Sequence, residues 1–404
     1  LIFVWTGQGG LTDLVLFVAV VLTLLTRKDV LRRATSAAES APDTGEPIRP
    51  LPLRVLQHPR WSNSVFLARV VGAGALALLP FVVSSHNTYF VASTLLMCAA
   101  TVSVTVLTGW AGQLSLGQWA IAGLGGLLAM QLFSEHGVPF WVAFALSFPL
   151  GGVLAALIGL PALRLQGVNL AVVTLAFAVT CSSWLYNQTW ARPDLSIQLP
   201  AYLTTRWQYA LSLGLLLGVV ATARLVERSQ LGRSIRAVKE NPVAASSMGI
   251  SVVRTKLTAF ALTGAMAGGT GFLFIDAIGS GDPTHFPTAN SLALLAAAVI
   301  GGLGSLSGAV VGGLYIFAVQ YFAAQWFPAH ADVISLLSTG VGLLVLLLYM
   351  PGGLIRPIIA ARDLLARALT GVDPREAIAV RSTEDGLTEA ARTLAAVTPQ
   401  EVSA

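Results

Sequence analysis

Runs of apolar residues, most of them close to 20 residues long, alternate with short polar stretches along most of this chain. A run of that length can cross the hydrocarbon core of a bilayer as an α-helix, because each helical residue advances about 1.5 Å. The pattern therefore predicts an all-α, polytopic helical membrane protein with about ten core transmembrane spans. The runs lie at residues 65–83, 89–108, 114–132, 139–160, 168–187, 209–225, 257–277, 288–303, 307–327 and 333–349.

The composition agrees with this class. Of the 404 residues, 55% are hydrophobic and only 11% are charged, whereas soluble domains carry about 25% charged residues. The net charge of +5 does not indicate nucleic-acid binding, because the basic residues lie in loops between the apolar runs. Both cysteines lie inside apolar runs and the histidines are isolated, so we expect no metal ion and no catalytic site.

The beginning of the chain has a different pattern. Residues 1–28 contain a shorter apolar run, Leu11–Leu25, which ends in basic residues. We expect this part to be either one further span or the remnant of a fusion. Residues 29–64 are rich in Ala, Ser and Pro and have no apolar period, which is typical of a flexible cytoplasmic linker.

The remainder divides into a membrane part and a tail. Residues 65–357 are predicted to form the transmembrane domain, which one long polar stretch interrupts at 226–256, called the polar loop below. Residues 358–404 carry scattered charges and much alanine, so we expect a largely disordered cytoplasmic tail. One or two helical turns are expected within it, at Asp363–Leu369.

The positions of lysine and arginine predict the orientation of the chain. If residues 26–64 are cytoplasmic, ten crossings place the polar loop and the residues from Arg356 onward on the same side. The loops that this assignment places outside contain only Arg192 and Arg206 as basic residues. Because cytoplasmic loops are enriched in Lys and Arg, we expect both ends of the core to be cytoplasmic.

The polar loop is predicted to contain two short helices. Ser229 or Ser234 can cap the first helix. Asn241 is suited to cap the second, Pro242–Met248, which has proline at its first position and a terminating glycine, Gly249.

The two helices differ in character. The first has basic residues on one side and the apolar pair Ile235 and Val238 on another. The second is short, apolar and small-sided, and it is held at a basic membrane face. We interpret it as a contact for a cytosolic partner, and the alternative is an ordinary basic loop that obeys the positive-inside rule.

Two glycine-rich stretches each separate two apolar runs too closely for a normal loop. They are GWAGQLSLG at 109–117 and GGLGSLSG at 301–308, called the first and second break below. Glycine lets helices approach closely, and Gln or Ser can bond to carbonyls that a broken helix frees. Paired interruptions of this kind are typical of a solute pathway, and the alternative is tight packing without solute contact. The predicted pathway residues are Gly109, Gly112, Gln113, Ser115, Gly117, Gln118, Asn169, Gly301, Gly304, Ser305 and Ser307.

The sequence also indicates where energy for transport would come from. It has no G-x-x-x-x-G-K-[ST] phosphate-binding loop, and no carboxylate lies in the middle of an apolar run. A solute pathway without coupling ions needs energy from a partner, and the polar loop is where that energy could arrive. This favours an ATP-driven permease over an ion-coupled carrier.

Several segments resemble LivM-type permeases of branched-chain amino-acid ABC importers. They are LGRSIRAVKENPVAASSMGISVVRTKLTAFALTGAMAGGTGFLF, GQLSLGQWAIAG, GGLGSLSGAVVGG and LPALRLQGVNLAVVTLAFA, and the resemblance extends over roughly Thr88–Pro357.

The resemblance implies a transport subunit that binds no cofactor itself. Its expected partners are two ATP-binding subunits that hydrolyse ATP with Mg, a second, LivH-type permease, an extracytoplasmic solute-binding protein and the lipid bilayer. It implies location in the cell membrane, and the N-terminal run would be a remnant of a LivH-type chain. The residues expected to couple to the ATPase are Gly232, Arg233, Arg236, Asn241, Pro242, Ala244, Ala245 and Gly249.

One segment departs from the family pattern. Where the family has an Asn-x-x-Thr-Gly-Gly run, this chain has NQTWARPDLS at Asn187–Ser196, without the glycine pair. The identity of the solute therefore stays open, with urea, amides or sugars as alternatives to branched-chain amino acids. Alternatives of another class are an ion-coupled secondary carrier and a membrane enzyme or scaffold subunit.

Overall fold

The computed structural model describes residues 9–26, 58–82, 84–162, 167–188, 190–191, 204–327, 330–349 and 352–370. The regular structure within these ranges is helical, which confirms the predicted all-α class. The α-helices are α1 (Gly9–Thr26), α2 (Pro59–Val82), α3 (Ser85–Val104), α4 (Gln118–Ser134), α5 (Phe140–Ala162), α6 (Val168–Ser183), α7 (Thr205–Arg228), α8 (Gln230–Glu240), α9 (Pro242–Ser247), α10 (Val252–Ile278), α11 (Thr288–Gly301), α12 (Leu306–Trp326), α13 (Ala331–Tyr349) and α14 (Ile355–Thr370). A π-helix (Thr105–Trp110) follows α3, and short 3₁₀ turns occur at Leu185–Asn187 and Pro283–His285.

Each of the ten predicted apolar runs overlaps one of the helices α2–α7 and α10–α13. Among the described residues, six helical stretches are long and apolar enough to cross a membrane. They are Asn87–Trp110, Phe140–Pro161, Val168–Asn187, Thr205–Arg228, Val252–Ile278 and Leu306–Ala323. The count of ten spans stays a prediction, because α4 and α11 have only 17 and 14 residues, fewer than the roughly 20 of a typical span.

Two predicted boundaries are wrong. The helix α2 begins at Pro59, so residues 59–64 of the predicted linker are helical. Proline is well suited to the first position of a helix, because an N–H group there makes no hydrogen bond within the helix. The helix α14 begins at Ile355 and continues to Thr370, well beyond the one or two turns expected in the tail. The rest of the predicted linker, 29–57, and the tail from residue 371 lie outside the described residues.

The chain divides into two compact units. One contains the described residues 9–26 and 80–355, and the other contains 58–79 and 356–370.

Helix α10 forms the centre of the larger unit. Every residue from Met266 to Ala277 is buried, and the helix packs against α3, α4 and α5. Its approach to α5 depends on glycine, since a Cβ on Gly268 would lie 3.0 Å from the Cα of Gly151. In a bilayer the hydrophobic effect does not drive helices together, because lipid tails are as apolar as the side chains. Helices associate there through close packing of small residues.

Helix α1 belongs to the larger unit and packs against α6. The rings of Phe17 and Phe177 lie 6.1 Å apart, and the Thr180 hydroxyl donates to the backbone oxygen of Asp13 at 3.2 Å. The prediction that this part forms a further span stays a prediction.

Candidate functional site

The polar loop folds into the two predicted helices, each with a side-chain cap. The Ser229 hydroxyl accepts a hydrogen bond from the Gly232 N–H at 3.3 Å and begins α8. The side-chain oxygen Oδ1 of Asn241 accepts from the N–H groups of Val243 and Ala244, both at 3.0 Å, and begins α9. These bonds confirm Ser229 and Asn241 as the capping residues.

Glycine ends the second helix, as predicted. Gly249 has a φ of 82°, a left-handed conformation that glycine adopts without steric cost. Its neighbour Ile250 donates its N–H to Ala245 O at 3.0 Å. The polar loop is thus an ordered pair of capped helices.

Helix α8 has the predicted apolar face, but of its basic residues Arg233, Arg236 and Lys239 only Arg233 is fully exposed. Ile235 and Val238 are buried, and Arg233 is exposed. Gly232 is also buried. Glycine is needed there, because a Cβ would collide with the carbonyl oxygen of Val226. Helix α8 is therefore packed through its apolar side against its own chain, and Arg233 is exposed on it.

Helix α9 buries one of the residues that were predicted to contact the partner. Val243 and Met248 are 77% and 79% exposed, whereas Ala245 is only 2% exposed. We predicted Ala245 as a contact for the partner, but its side chain packs inside its own chain. The large exposed apolar side chains are instead those of Val243 in α9 and of Met248, the residue that follows α9.

The polar loop contacts the first break directly. The Lys239 ammonium donates to the carbonyl oxygen of Gly109 at 2.7 Å. The guanidinium of Arg236 lies 5.4 Å from the centre of the Trp110 ring, within the range of a cation–π interaction. Arg236 also forms an ion pair with Glu227 at 3.1 Å, but both side chains are about two-fifths exposed, so this pair adds little stability.

The lysine is half-buried where it makes this bond. Burial lowers the pKa of Lys239 below its usual value, and the adjacent Glu240 carboxylate acts in the opposite direction. The bond to the Gly109 carbonyl offers the ammonium a partner in place of the water that it has lost.

The first break is a change of helix type followed by an extended turn. The π-helix Thr105–Trp110 is entirely buried, and α4 begins only at Gln118. Between them, Gln113 donates its side-chain N–H to the carbonyl of Ala111 at 3.2 Å. This bond confirms that a glutamine of the break satisfies a carbonyl that the broken helix has freed.

A residue outside the break also stabilises it. The N–H of Leu116 donates to the Thr174 hydroxyl of α6 at 2.9 Å. The N–H of Gly117 donates more weakly to the Ser115 hydroxyl at 3.4 Å. Asn169 is half-buried at the start of α6, about one and a half helical turns before Thr174.

Gln118 anchors the first turn of α4 in the centre of the unit. Its side-chain N–H group donates to the carbonyl of Thr263 at 2.9 Å and to the Ser103 hydroxyl at 3.2 Å. Within the described ranges, the side-chain oxygens of Gln113 and Gln118 are buried without a hydrogen-bond partner. A water molecule or a polar group of a solute could supply that partner.

The second break is a tighter turn between α11 and α12. The Ser305 hydroxyl caps α12 by accepting from the Gly308 N–H at 3.1 Å, and it lies 2.9 Å from the Ser307 hydroxyl. A Cβ on Gly301 would collide with the Gly308 carbonyl, so the two arms of the turn need glycine. Gly304 is exposed, and nothing lies within 4 Å of the position of its Cβ.

The two breaks meet at Gly109, where a Cβ would collide with the carbonyl oxygen of Leu303. The structure therefore brings together the first break, the second break and the polar loop. Four contributing residues were absent from the prediction: Trp110, Thr174, Lys239 and Leu303. For Lys239 a signal existed, since it lies four residues after the buried Ile235 and thus on the same helical face.

Comparison with known proteins is consistent with this arrangement. The profile of the family described as the permease component of the branched-chain amino acid transport system matches residues 84–348. No solved structure matches the chain.

Three relatives illustrate the similarity. The high-affinity branched-chain amino acid transport system permease protein LivM of Salmonella typhimurium is 27% identical over 308 residues, which is 68% of this chain and 71% of that protein. LivM of Escherichia coli is 28% identical over 312 residues, with the same shares. The probable branched-chain amino acid transport permease protein LivH of Methanocaldococcus jannaschii is 34% identical over 156 residues, 37% of this chain and 43% of that protein.

Proposed function

Because the chain belongs to the family of permease components of branched-chain amino acid transport systems, we propose that it is the membrane-spanning subunit of an ATP-driven importer for branched-chain amino acids. The family match over residues 84–348 is the observation that carries this proposal. The similarity to LivM over 68% of the chain supports it. The subunit provides the route for the solute, and its partners provide the energy.

We propose three kinds of partner. Two ATP-binding subunits hydrolyse ATP with Mg on the cytoplasmic side, and a solute-binding protein delivers the amino acid from the other side. A LivH-type chain forms the second permease subunit. The similarity to both LivM and LivH supports this pairing, because it indicates that the two permease types are related in sequence.

The orientation follows from charge. We place the polar loop and both ends of the core in the cytoplasm, because the basic residues concentrate there. We propose that the two breaks lie near the cytoplasmic end of the solute pathway, and the bond between Lys239 and Gly109 supports this because it connects the first break to the polar loop. The unpartnered oxygens of Gln113 and Gln118 support this location, since they could bond to a polar solute or to water on its way through.

The contact with the ATPase is proposed to centre on α9. Val243 and Met248 are large, apolar and mostly exposed, and the adjacent helix α8 exposes the basic Arg233. An apolar patch rimmed by polar groups is typical of a binding surface. Burial of these two side chains in a groove of the ATPase would remove them from water.

The test is to replace Val243 or Met248 by glutamate. An unpaired charge in such a contact costs several kcal/mol, and about 4 kcal/mol is roughly a thousandfold in affinity. The matched control is Gln230→Glu, which adds the same charge at the exposed start of α8. We expect both α9 variants to insert normally and to lose the ATPase in pull-down from detergent, while the control retains it. Normal ATPase binding and leucine uptake by both α9 variants would contradict the proposed contact.

A further inference from the structure

The bond between Lys239 and Gly109 connects two parts of the chain that are 130 residues apart. One end lies on α8, which leads through the Asn241 cap into the exposed helix α9. The other end lies in the buried π-helix Thr105–Trp110. The stem of the lysine packs just after that segment, because its Cγ lies 3.0 Å from where a Cβ of Gly112 would be.

The carbonyl that Lys239 bonds is one that the change of helix type has freed. In a continuous α-helix, Gly109 O would accept the N–H of Gln113. In the structure, the Gln113 N–H donates to Leu107 O at 3.1 Å, and the N–H of Ala111 donates to Val106 O at 3.2 Å in the π pattern. The ammonium of Lys239 therefore takes the place of the missing α-helical donor at Gly109.

The same glycine is also the point where the two breaks touch. The Leu303 carbonyl oxygen of the second break occupies the space that a Cβ on Gly109 would need. A rotation of the first break about its own axis would therefore move this contact. Single-turn π segments within α-helices occur frequently at functional sites.

We propose that Lys239 is a positioning residue that transmits movement of the ATPase-bound helices α8 and α9 to the two breaks. While Lys239 bonds Gly109, the segment 105–110 is held in its π form. When α8 withdraws, the Gly109 carbonyl is free to accept the Gln113 N–H, the segment rewinds toward an α-helix, and its contact with Leu303 shifts. This inference rests on the proposed function, because it requires an ATPase bound to the polar loop.

The test compares three variants in the assembled importer, in membranes that contain all of its subunits. Lys239→Met keeps an unbranched stem and removes the donor. Lys239→Arg restores a charged donor, and Arg254→Gln is the control for loss of a cation, since Arg254 is exposed on the first turn of α10. Binding of the ATPase, ATP hydrolysis and leucine uptake are measured together for each variant.

We expect Lys239→Met to bind and stimulate the ATPase like the wild type. It is expected to take up roughly tenfold less leucine for each ATP hydrolysed, because the charge-assisted hydrogen bond to the Gly109 carbonyl is lost. Lys239→Arg is expected to retain most of the coupling, and Arg254→Gln to retain all of it.

A second readout follows the breaks themselves. A cysteine at the exposed Gly304 reports the second break through its rate of reaction with a thiol reagent. We expect that rate to change when an ATP analogue is added to the wild-type background, and to stay constant when Lys239→Met is also present. A purely structural role for Lys239 would not abolish the nucleotide response while hydrolysis continues.

Each outcome separates the inference from the function on which it rests. Wild-type coupling in Lys239→Met would overturn the inference alone. Failure of the wild-type chain to bind an ATPase would overturn the proposed function. If Lys239→Met does not assemble, Lys239→Gln replaces it, and its shorter amide is expected to assemble and to be uncoupled. Loss of assembly by both variants would assign Lys239 to folding and contradict the inference.

Discussion

At the scale of single residues, the absence of a side chain at Gly109 allows the two breaks to touch. Any Cβ at this position would collide with the Leu303 carbonyl oxygen. Gly304 in the second break is different, because it is exposed and has open space around the position of its Cβ. Both glycines were predicted to lie on the pathway for the same reason, yet only Gly109 is required by a close backbone approach.

This contrast gives a prediction with a built-in control. Gly109→Ala is expected to lower leucine uptake sharply and to lower the free energy of unfolding by about 1–3 kcal/mol, because an added methyl group in a packed site forces the backbone to shift. Gly304→Ala is expected to change the free energy of unfolding by no more than about 0.5 kcal/mol. Its leucine uptake is expected to stay close to that of the wild type. The measurements are thermal unfolding of the detergent-solubilised chain and uptake in cells. Equal behaviour of the two variants would show that the Gly109 contact does not matter.

The sequence predicts some of these residue roles and misses others for a physical reason. Capping by Ser229 and Asn241 is local, so the residue types and their spacing suffice. The bond from Lys239 to Gly109 joins residues far apart in the chain, and no local pattern encodes it. Ala245 was misassigned because a small apolar residue in a basic loop has the same sequence signal whether it faces its own chain or a partner.

At the scale of elements, hydrophobic runs predict helices well and their ends less well. All ten runs overlap a helix, because a long apolar segment must satisfy its own backbone in lipid. The run at 114–132 begins before its helix, since Leu114 and Leu116 lie in the non-helical part of the first break and α4 begins at Gln118. Hydrophobicity does not distinguish a buried extended segment from a buried helix, and it contains no signal for a π-helix.

The alternation of elements across the membrane is testable with two cysteines. Ser246, in the polar loop, and His136, in the turn between α4 and α5, are both exposed. In intact cells we expect Ser246→Cys to be protected from a membrane-impermeant thiol reagent and His136→Cys to react, because an odd number of predicted crossings separates them. The two native cysteines are buried and give a low background. Reaction of Ser246→Cys from outside would reverse the assigned orientation.

At the scale of the whole molecule, the larger unit combines a closely packed centre with a polar surface at one end. Helix α10 is buried along its second half, which suits a fixed support. The breaks and the polar loop meet at Gly109. In the proposed function, movement of the partner reaches the pathway through this meeting point, and the buried half of α10 supports it.

The central claim is that this chain conducts branched-chain amino acids by using energy from a bound ATPase. It is tested most directly by leucine uptake into proteoliposomes that contain the chain with its LivH-type and ATP-binding partners, with leucine-loaded binding protein on the side opposite the ATPase. All ion gradients are collapsed by ionophores. We predict uptake that requires both ATP and this chain, and that falls when Val243→Glu replaces the wild type. Uptake that needs an ion gradient and proceeds without ATP would contradict the account.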